Sequence, residues 1–184
     1  MTVSDLKSRS SSLHFIAQNS PGSIIGYSAY DPTTAESYAT TGTSFAYVVD
    51  GSSNKKSVTF TAPATGKVEI AVSVWVEQNA VIAATSYLKF ALSANSTTWS
   101  SYSGTEKRAF LGTEHSLVPS QAHTTMRWVI DSLPPGVSTT FYLGASETAA
   151  ASNFSLKWGG DGVGVDIWPA LVMKATTLPR KIST

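Results

Sequence analysis

Residues 67–77 have the sequence KVEIAVSVWVE, and this stretch decides the fold class. Every second residue is a β-branched aliphatic residue, whereas the residues between them are mixed in character. Successive side chains of a β-strand point to opposite faces, so the pattern predicts a strand with one buried face. The predicted buried residues are Val68, Ile70, Val72, Val74 and Val76, and the predicted outer residues are Glu69, Ala71, Ser73, Trp75 and Glu77.

A shorter alternating run lies just before this strand. Residues 57–61 have the sequence SVTFT, and residues 62–66, with the sequence APATG, separate the two runs. Proline and glycine between two alternating runs are typical of a turn. We therefore expect the two runs to form a β-hairpin.

Alternation of the same kind recurs along the rest of the chain. It is clear at residues 88–92, 126–130 and 141–143, and weaker at 23–30, 44–49, 107–112 and 154–158. Near the end, the pattern places Val165, Ile167, Leu171 and Met173 on one face, and Pro169 between them indicates an edge, a bulge or a bend. With about eight to ten short strands and no long helical periodicity, the sequence predicts an all-β protein. The expected architecture is a two-sheet antiparallel β-sandwich of the jelly-roll type.

The composition limits the possible partners. Only 14% of the 184 residues are charged, against about 25% in an average soluble protein, and the formal net charge is +1. Such a chain offers no electrostatic attraction for nucleic acid or an anionic membrane, and it suits a subunit that stays assembled. The absence of cysteine excludes disulfides and thiolate chemistry. Neither a signal peptide nor an apolar run long enough to span a membrane is recognisable, so we expect synthesis in a cytosol and no membrane insertion.

The chain divides into three parts. Residues 1–20 are polar and serine-rich, and they are expected to be an N-terminal docking arm, although a frayed terminus has the same composition. Residues 21–178 contain the alternating runs and are expected to form the jelly-roll sandwich. Residues 179–184 are expected to be a short C-terminal tail.

Residues with catalytic potential are present but form no recognisable site. His14, His115 and His123 lack the spacing of a metal site on a strand or a helix, and no pair of carboxylates is singled out. We therefore expect no metal, no cofactor and no enzymatic activity. The candidate ligand-binding residues are Trp99 and Tyr102, two aromatic residues in a polar loop that ends in glycine. The alternative is that these rings fold back over the end of the sandwich.

Three stretches resemble segments of tailed-bacteriophage virion proteins. Residues 58–68, VTFTAPATGKV, resemble a "VTFTAPxxGKV" segment of those proteins. Residues 131–136, DSLPPG, followed by TFYL at 140–143, resemble their "GLxPGxxYxxxL" segment. Residues 158–160, WGG, and 165–170, VDIWPA, resemble their C-terminal segment. The three occur in the same order and span about two-thirds of the chain.

The resemblance implies a function as well as a fold. Proteins of this type are similar to the trimeric jelly rolls of tumour necrosis factor and complement C1q, and they act as capsid decoration or cement proteins, collar proteins, tail spikes or fibre heads. It implies that this chain is a homotrimeric virion subunit, made in the bacterial cytoplasm, that contacts other virion proteins of the capsid or tail. A second hypothesis is a carbohydrate-binding module that recognises a glycan on the host surface.

Overall fold

A computed structural model of the protein describes residues 20–40, 42–78, 87–95, 99, 107–109, 121–148, 154–160 and 167–179. All regular secondary structure in these ranges is β-strand, which confirms the predicted all-β class. The described strands are β1 (Ile24–Tyr30), β2 (Glu36–Ala39), β3 (Ala46–Tyr47), β4 (Ser57–Thr61), β5 (Val68–Gln78), β6 (Leu88–Ser93), β7 (Lys107–Ala109), β8 (Gln121–Ile130), β9 (Ser138–Glu147), β10 (Phe154–Trp158) and β11 (Leu171–Thr177).

Eight of the strands pair in a nested order. β1 pairs with β11, β4 with β9, β5 with β8, and β6 with β7, and every pair is antiparallel. The chain therefore forms a long antiparallel ribbon that is rolled up. Lateral pairing of β11 with β5 and of β9 with β6 joins the ribbon into two sheets. The first sheet has the order β1-β11-β5-β8 and the second β4-β9-β6-β7, which is a jelly-roll sandwich.

Strand β5 is the centre of the first sheet. One edge pairs with β8 over residues 68–77, and the other pairs with β11 over residues 68–73 and with β10 over residues 75–78. Its five predicted inner side chains are all 0% exposed, so the predicted orientation of this strand is confirmed. The short strands β2 and β3 extend the first and second sheets at β10 and β9, respectively.

The core lies between the two sheets and is filled by large side chains from both. Phe60 of β4 and Phe141 of β9 stack with ring centres 6.0 Å apart. Trp128 of β8 and Trp158 of β10 enter the same cluster from the first sheet. The largest fully buried side chains are Trp128, Trp158, Phe90, Phe141, Phe154, Ile70, Leu88, Leu92, Leu143, Leu156, Leu171 and Met173.

The predicted hairpin between residues 57–61 and 67–77 is wrong. Both runs are strands, but β4 pairs with β9 in the second sheet, whereas β5 belongs to the first. Residues 62–66 therefore cross from one sheet to the other. A crossing of this kind buries Val58 and Phe60 against the inner face of the first sheet, which a flat hairpin would not allow.

The crossing is stabilised by a second crossing beside it. The Ala62 amide donates to the Val137 carbonyl at 2.9 Å, and the Gly136 amide donates to the Ala62 carbonyl at 2.9 Å. The Leu133 amide donates to the Gly66 carbonyl at 3.0 Å. Gly66 has a φ of +62°, and a Cβ there would lie 2.8 Å from the Leu133 carbonyl oxygen, so only glycine fits. Residues 62–66 and 131–137 thus form one hydrogen-bonded corner, called the double corner below.

The last predicted strand also needs correction. β11 begins at Leu171, and Ile167 is 63% exposed instead of sharing the buried face of Leu171 and Met173. Before Pro169, the backbone instead pairs with Gly159. The Trp168 amide donates a hydrogen bond to the Gly159 carbonyl at 2.9 Å. Proline has no amide hydrogen and cannot continue a ladder, so the strand starts after it. Val165 lies outside the described residues.

Replacing Val72 with aspartate should unfold the domain. Val72 is 0% exposed and lies between Met126 of β8 and Met173 of β11. Val72→Asp would bury an unpaired carboxylate, and we expect a loss of about 4 kcal/mol or more of unfolding free energy, measured by urea denaturation. As a control, Ser37→Asp places a carboxylate at an exposed position of β2 and should change the stability by less than about 0.5 kcal/mol. Equal midpoints for the two variants would contradict the buried position of Val72.

Candidate functional site

A cluster of aromatic side chains covers part of the outer face of the second sheet. It consists of Phe45, Tyr47, Trp99 and Tyr142, and is called the aromatic surface below. The Tyr47 ring contacts Trp99 edge-on with 5.0 Å between ring centres, and Tyr142 in the same way at 5.5 Å. The ring centres of Phe45 and Trp99 are 6.0 Å apart. Each of these side chains is half-buried, so the aromatic surface is packed but remains accessible.

The position of Trp99 depends on Gly144 in the middle of β9. A Cβ at Gly144 would lie 2.4 Å from the Trp99 ring, so the ring rests directly on the backbone of the sheet. Trp99 therefore lies on a sheet face and not over the end of the sandwich, and its role in ligand binding stays a prediction. Tyr102, the other predicted ligand-binding residue, lies outside the described residues.

Two lysines border the aromatic surface. Lys55 Nζ lies 3.9 Å from the Tyr47 ring centre, and Lys89 Nζ lies 5.3 Å from the Phe45 ring centre. Among the described residues neither lysine has a carboxylate partner. The aromatic surface therefore carries positive charge, which favours contact with an anionic or π-rich partner.

A second aromatic group lies on the outer face of the first sheet. The ring centres of Trp75 and Trp168 are 5.5 Å apart and the ring planes are inclined by 45°. Lys157 Nζ lies 4.7 Å from the Trp168 ring centre and 3.0 Å from each carboxylate oxygen of Glu77. The Gln121 amide also donates to Glu77, at 2.8 Å. These five residues form the tryptophan cluster.

Three strands and one loop build the tryptophan cluster. Trp75 and Glu77 are outer residues of β5, Lys157 lies beside Trp75 on β10, and Gln121 lies beside Glu77 on β8. Trp168 belongs to the segment that pairs with Gly159 before Pro169. Sequence reasoning placed Trp75 and Glu77 on the outer face correctly, but it did not indicate that Trp168 reaches them.

A small pocket opens at one end of the sandwich. Its volume is about 260 Å³, and its lining residues are Ala29, Tyr30, Asp31, Pro32, Glu36, Asp50, Lys56 and Trp158. Lys56 is only 3% exposed, and its Nζ lies 2.8 Å from Asp50 Oδ2 and 4.5 Å from the Tyr30 ring centre. The Lys56 ammonium group is therefore paired with the Asp50 carboxylate and lies over the Tyr30 ring, next to the hydrophobic core.

Asp50 organises the loop next to this pocket. Its carboxylate accepts hydrogen bonds from the Ser52 amide at 3.0 Å, the Asn54 amide at 2.8 Å and the Asn54 side chain at 3.1 Å. The hydrogen bond from Lys56, followed by that from the Asn54 backbone, holds the pKa of Asp50 well below its usual range. These are the contacts of a structural ion pair that fixes a turn.

Groups suited to catalysis are not brought together in the described part of the chain. His123 is exposed on β8, whereas His14 and His115 lie outside that part. Within the described ranges no three metal-ligating side chains converge. In the same ranges no helix is long and apolar enough to cross a membrane. Glu147 is fully buried, where it accepts hydrogen bonds from Thr40 Oγ1 and, at 3.2 Å, from the Phe154 amide. This arrangement joins β9 to β10 and leaves Glu147 out of contact with solvent.

Comparison with known proteins adds no relative. No protein-family model matches the sequence, and no curated protein matches it significantly. The features that bear on function are therefore the fold, the aromatic surface, the tryptophan cluster, the end pocket and the sequence resemblance.

The ion pair between Lys56 and Asp50 should make the stability depend on pH. The folded-state pKa of Asp50 is depressed, so its stabilisation is fully present above the unfolded pKa of about 3.9 and is lost as the pH falls through the folded-state value. Asp50→Asn should therefore lower the melting temperature at pH 7, where Lys56 loses its counter-charge. Between pH 7 and pH 3 the melting temperature of this variant should fall less than that of the wild type.

The double variant Asp50→Asn/Lys56→Met is the matched control. It removes both charges and should recover much of the stability that the single variant loses at pH 7. Parallel pH profiles of melting temperature for the wild type and Asp50→Asn would contradict the depressed pKa.

Proposed function

We propose that this protein is a structural subunit of a tailed-bacteriophage virion. In this proposal it is a homotrimeric jelly roll attached to the capsid or tail as a decoration, cement, collar or fibre-head protein. It is made in the bacterial cytoplasm and resides in the virion. Its task is assembly or adhesion: residues 1–20 dock onto other virion proteins, the sandwich trimerises, and the outer loops face solvent or host.

The double corner is the observation that carries this proposal. Two of the three stretches that resemble virion proteins, residues 58–68 and 131–136, contain its two crossings. The third stretch contains Gly159 and Trp168, which pair with each other. The three stretches thus lie at backbone junctions, where a residue such as Gly66 is required by the backbone geometry. Their resemblance therefore supports a shared architecture.

An apolar patch at the β1 edge of the first sheet supports self-association. Ile24 and Tyr27 are 59% and 60% exposed, and Ala29 lies on the same outer face of β1. Val172 of β11 lies directly beside Ala29. Exposed apolar side chains that adjoin one another on a sheet face are typical of an interaction surface. In a closed trimer this patch contacts another copy of the chain, which covers the β1 edge.

The trimer should be measurable directly. Light scattering after size exclusion should give three times the 19.4-kDa chain mass at micromolar concentration. Tyr27→Arg, which places a second cation beside Lys174, should shift the mass to that of one chain while leaving the circular dichroism spectrum unchanged. Ser37→Arg on β2 is the control and should remain trimeric. A monomeric wild type on its own and on the particle would refute the trimer.

Removing the N-terminal segment should separate folding from attachment. All described strands lie after residue 20, so deletion of residues 1–19 should leave the melting temperature nearly unchanged. The truncated protein should fail to join particles that lack the subunit, as judged by gel densitometry of purified virions. If it still reaches full occupancy, attachment depends on the sandwich; if it unfolds, the segment contributes to the sandwich.

Carbohydrate recognition is the second candidate function. It is favoured by the half-buried aromatic side chains on the outer faces of both sheets, because tryptophan and tyrosine combine an apolar ring with a polar group. In this proposal the ligand is a glycan of the host surface. Binding to immobilised glycans by protein that forms no trimer and joins no particle would favour this function over the first.

A further inference from the structure

We propose that the tryptophan cluster is a binding site for a neutral saccharide. The inference rests on the carbohydrate-recognition candidate and assigns it a location and a class of ligand. It places the site on the outer face of the first sheet, whereas the sequence predicted a ligand-binding loop at Trp99 and Tyr102.

The two indole rings provide the apolar part of the site. Trp75 and Trp168 are both half-buried, so each retains accessible surface on the outer face of the sheet. Saccharide rings have apolar faces of C–H groups that pack against aromatic rings, and a few polar groups then fix their orientation.

The polar residues supply both donors and acceptors beside these rings. Glu77 accepts two hydrogen bonds from Lys157 and one from Gln121, and a carboxylate has about four acceptor positions, so one further bond can form. Gln121 is exposed, and its side-chain NH₂ group donates one hydrogen bond to Glu77. This bond does not use the side-chain carbonyl oxygen of Gln121, which can accept a hydrogen bond from a ligand. Hydroxyl groups donate and accept hydrogen bonds, and they match this mixed set better than a ligand that only donates or only accepts.

The charges of the tryptophan cluster indicate a neutral ligand. Lys157 Nζ lies 3.0 Å from Glu77 Oε2, so the positive and negative charges of this pair compensate each other. The aromatic surface on the opposite sheet differs, because Lys55 and Lys89 have no carboxylate partner among the described residues. An acidic glycan would therefore prefer the aromatic surface, whereas a neutral saccharide suits the tryptophan cluster.

A buried donor at the tryptophan cluster has no acceptor within the described part of the chain. The Nε1–H group of Trp75 is buried and has no hydrogen-bond partner among the described residues. Buried indole N–H groups are normally hydrogen-bonded, and an unpaired one is unfavourable. A saccharide hydroxyl oxygen that reaches this group at the edge of the Trp75 ring would supply the missing acceptor.

The test is a glycan array of neutral and acidic oligosaccharides, followed by isothermal titration with the best neutral hexasaccharide. The full-length protein should bind neutral glycans. Trp168→Ala should weaken that binding at least tenfold, and so should Glu77→Gln together with Gln121→Ala, which keeps both tryptophans. Val129→Ala, which shortens an exposed apolar side chain elsewhere on the same sheet, is the control and should retain wild-type affinity. Trp99→Ala is measured alongside it to test the aromatic surface.

Other outcomes would overturn the inference. They are no binding to any neutral glycan, binding to acidic glycans only, or loss of affinity in Trp99→Ala but in neither cluster variant. If Trp168→Ala fails to fold, the variant that combines Glu77→Gln with Gln121→Ala still tests the site. The same variants should remain trimeric by light scattering, so failure of the saccharide site is distinguishable from failure of the virion proposal.

Discussion

The described structure depends on the hydrogen bonding of β5 along both of its edges. β8 pairs with one edge over ten residues, while β11 and β10 share the other. Five fully buried aliphatic side chains hold the inner face of this strand in the core. Because the neighbour changes from β11 to β10 between Ser73 and Trp75, the outer face of the first sheet has two different regions. The apolar patch lies on the β1 side, and the tryptophan cluster lies beside β10.

The sequence predicted the strands better than it predicted their partners. Alternation determines which face of a strand is buried, so the orientation of Val68 through Val76 followed directly from the residue types. Residues 62–66 of the double corner were predicted to be a turn, but proline and glycine are equally suited to a hairpin and to a crossing between sheets. Only the buried contacts of Val58 and Phe60 separate these alternatives. The predicted position of Ile167 was wrong because the alternating pattern continues across Pro169, whereas the hydrogen-bonded strand does not.

The candidate surfaces were harder to predict because each combines residues from distant segments. Tyr47 meets both Trp99 and Tyr142 because β3 lies beside β9 and because Gly144 leaves room for an indole ring. Trp168 meets Trp75 only because its backbone pairs with Gly159. The three regions also differ in charge. The lysines beside the aromatic surface have no carboxylate partner among the described residues, whereas Lys157 and Glu77 of the tryptophan cluster form an ion pair. In the pocket at the end of the sandwich, three carboxylates accompany one lysine. Such differences allow one small domain to contact chemically different partners on separate faces.

The nested pairing also has a consequence for how the protein folds. Ile24 of β1 lies opposite Thr176 of β11, so the outermost pair joins residues that are about 150 positions apart. Folds dominated by such long-range pairs form in milliseconds to seconds, because the entropy of closing a long loop is lost before the contacts form. Until β11 arrives, β1 and residues 68–73 of β5 present unpaired backbone edges to other chains. Intermolecular strand pairing therefore competes with folding, and the competition grows with the local concentration of newly made chains.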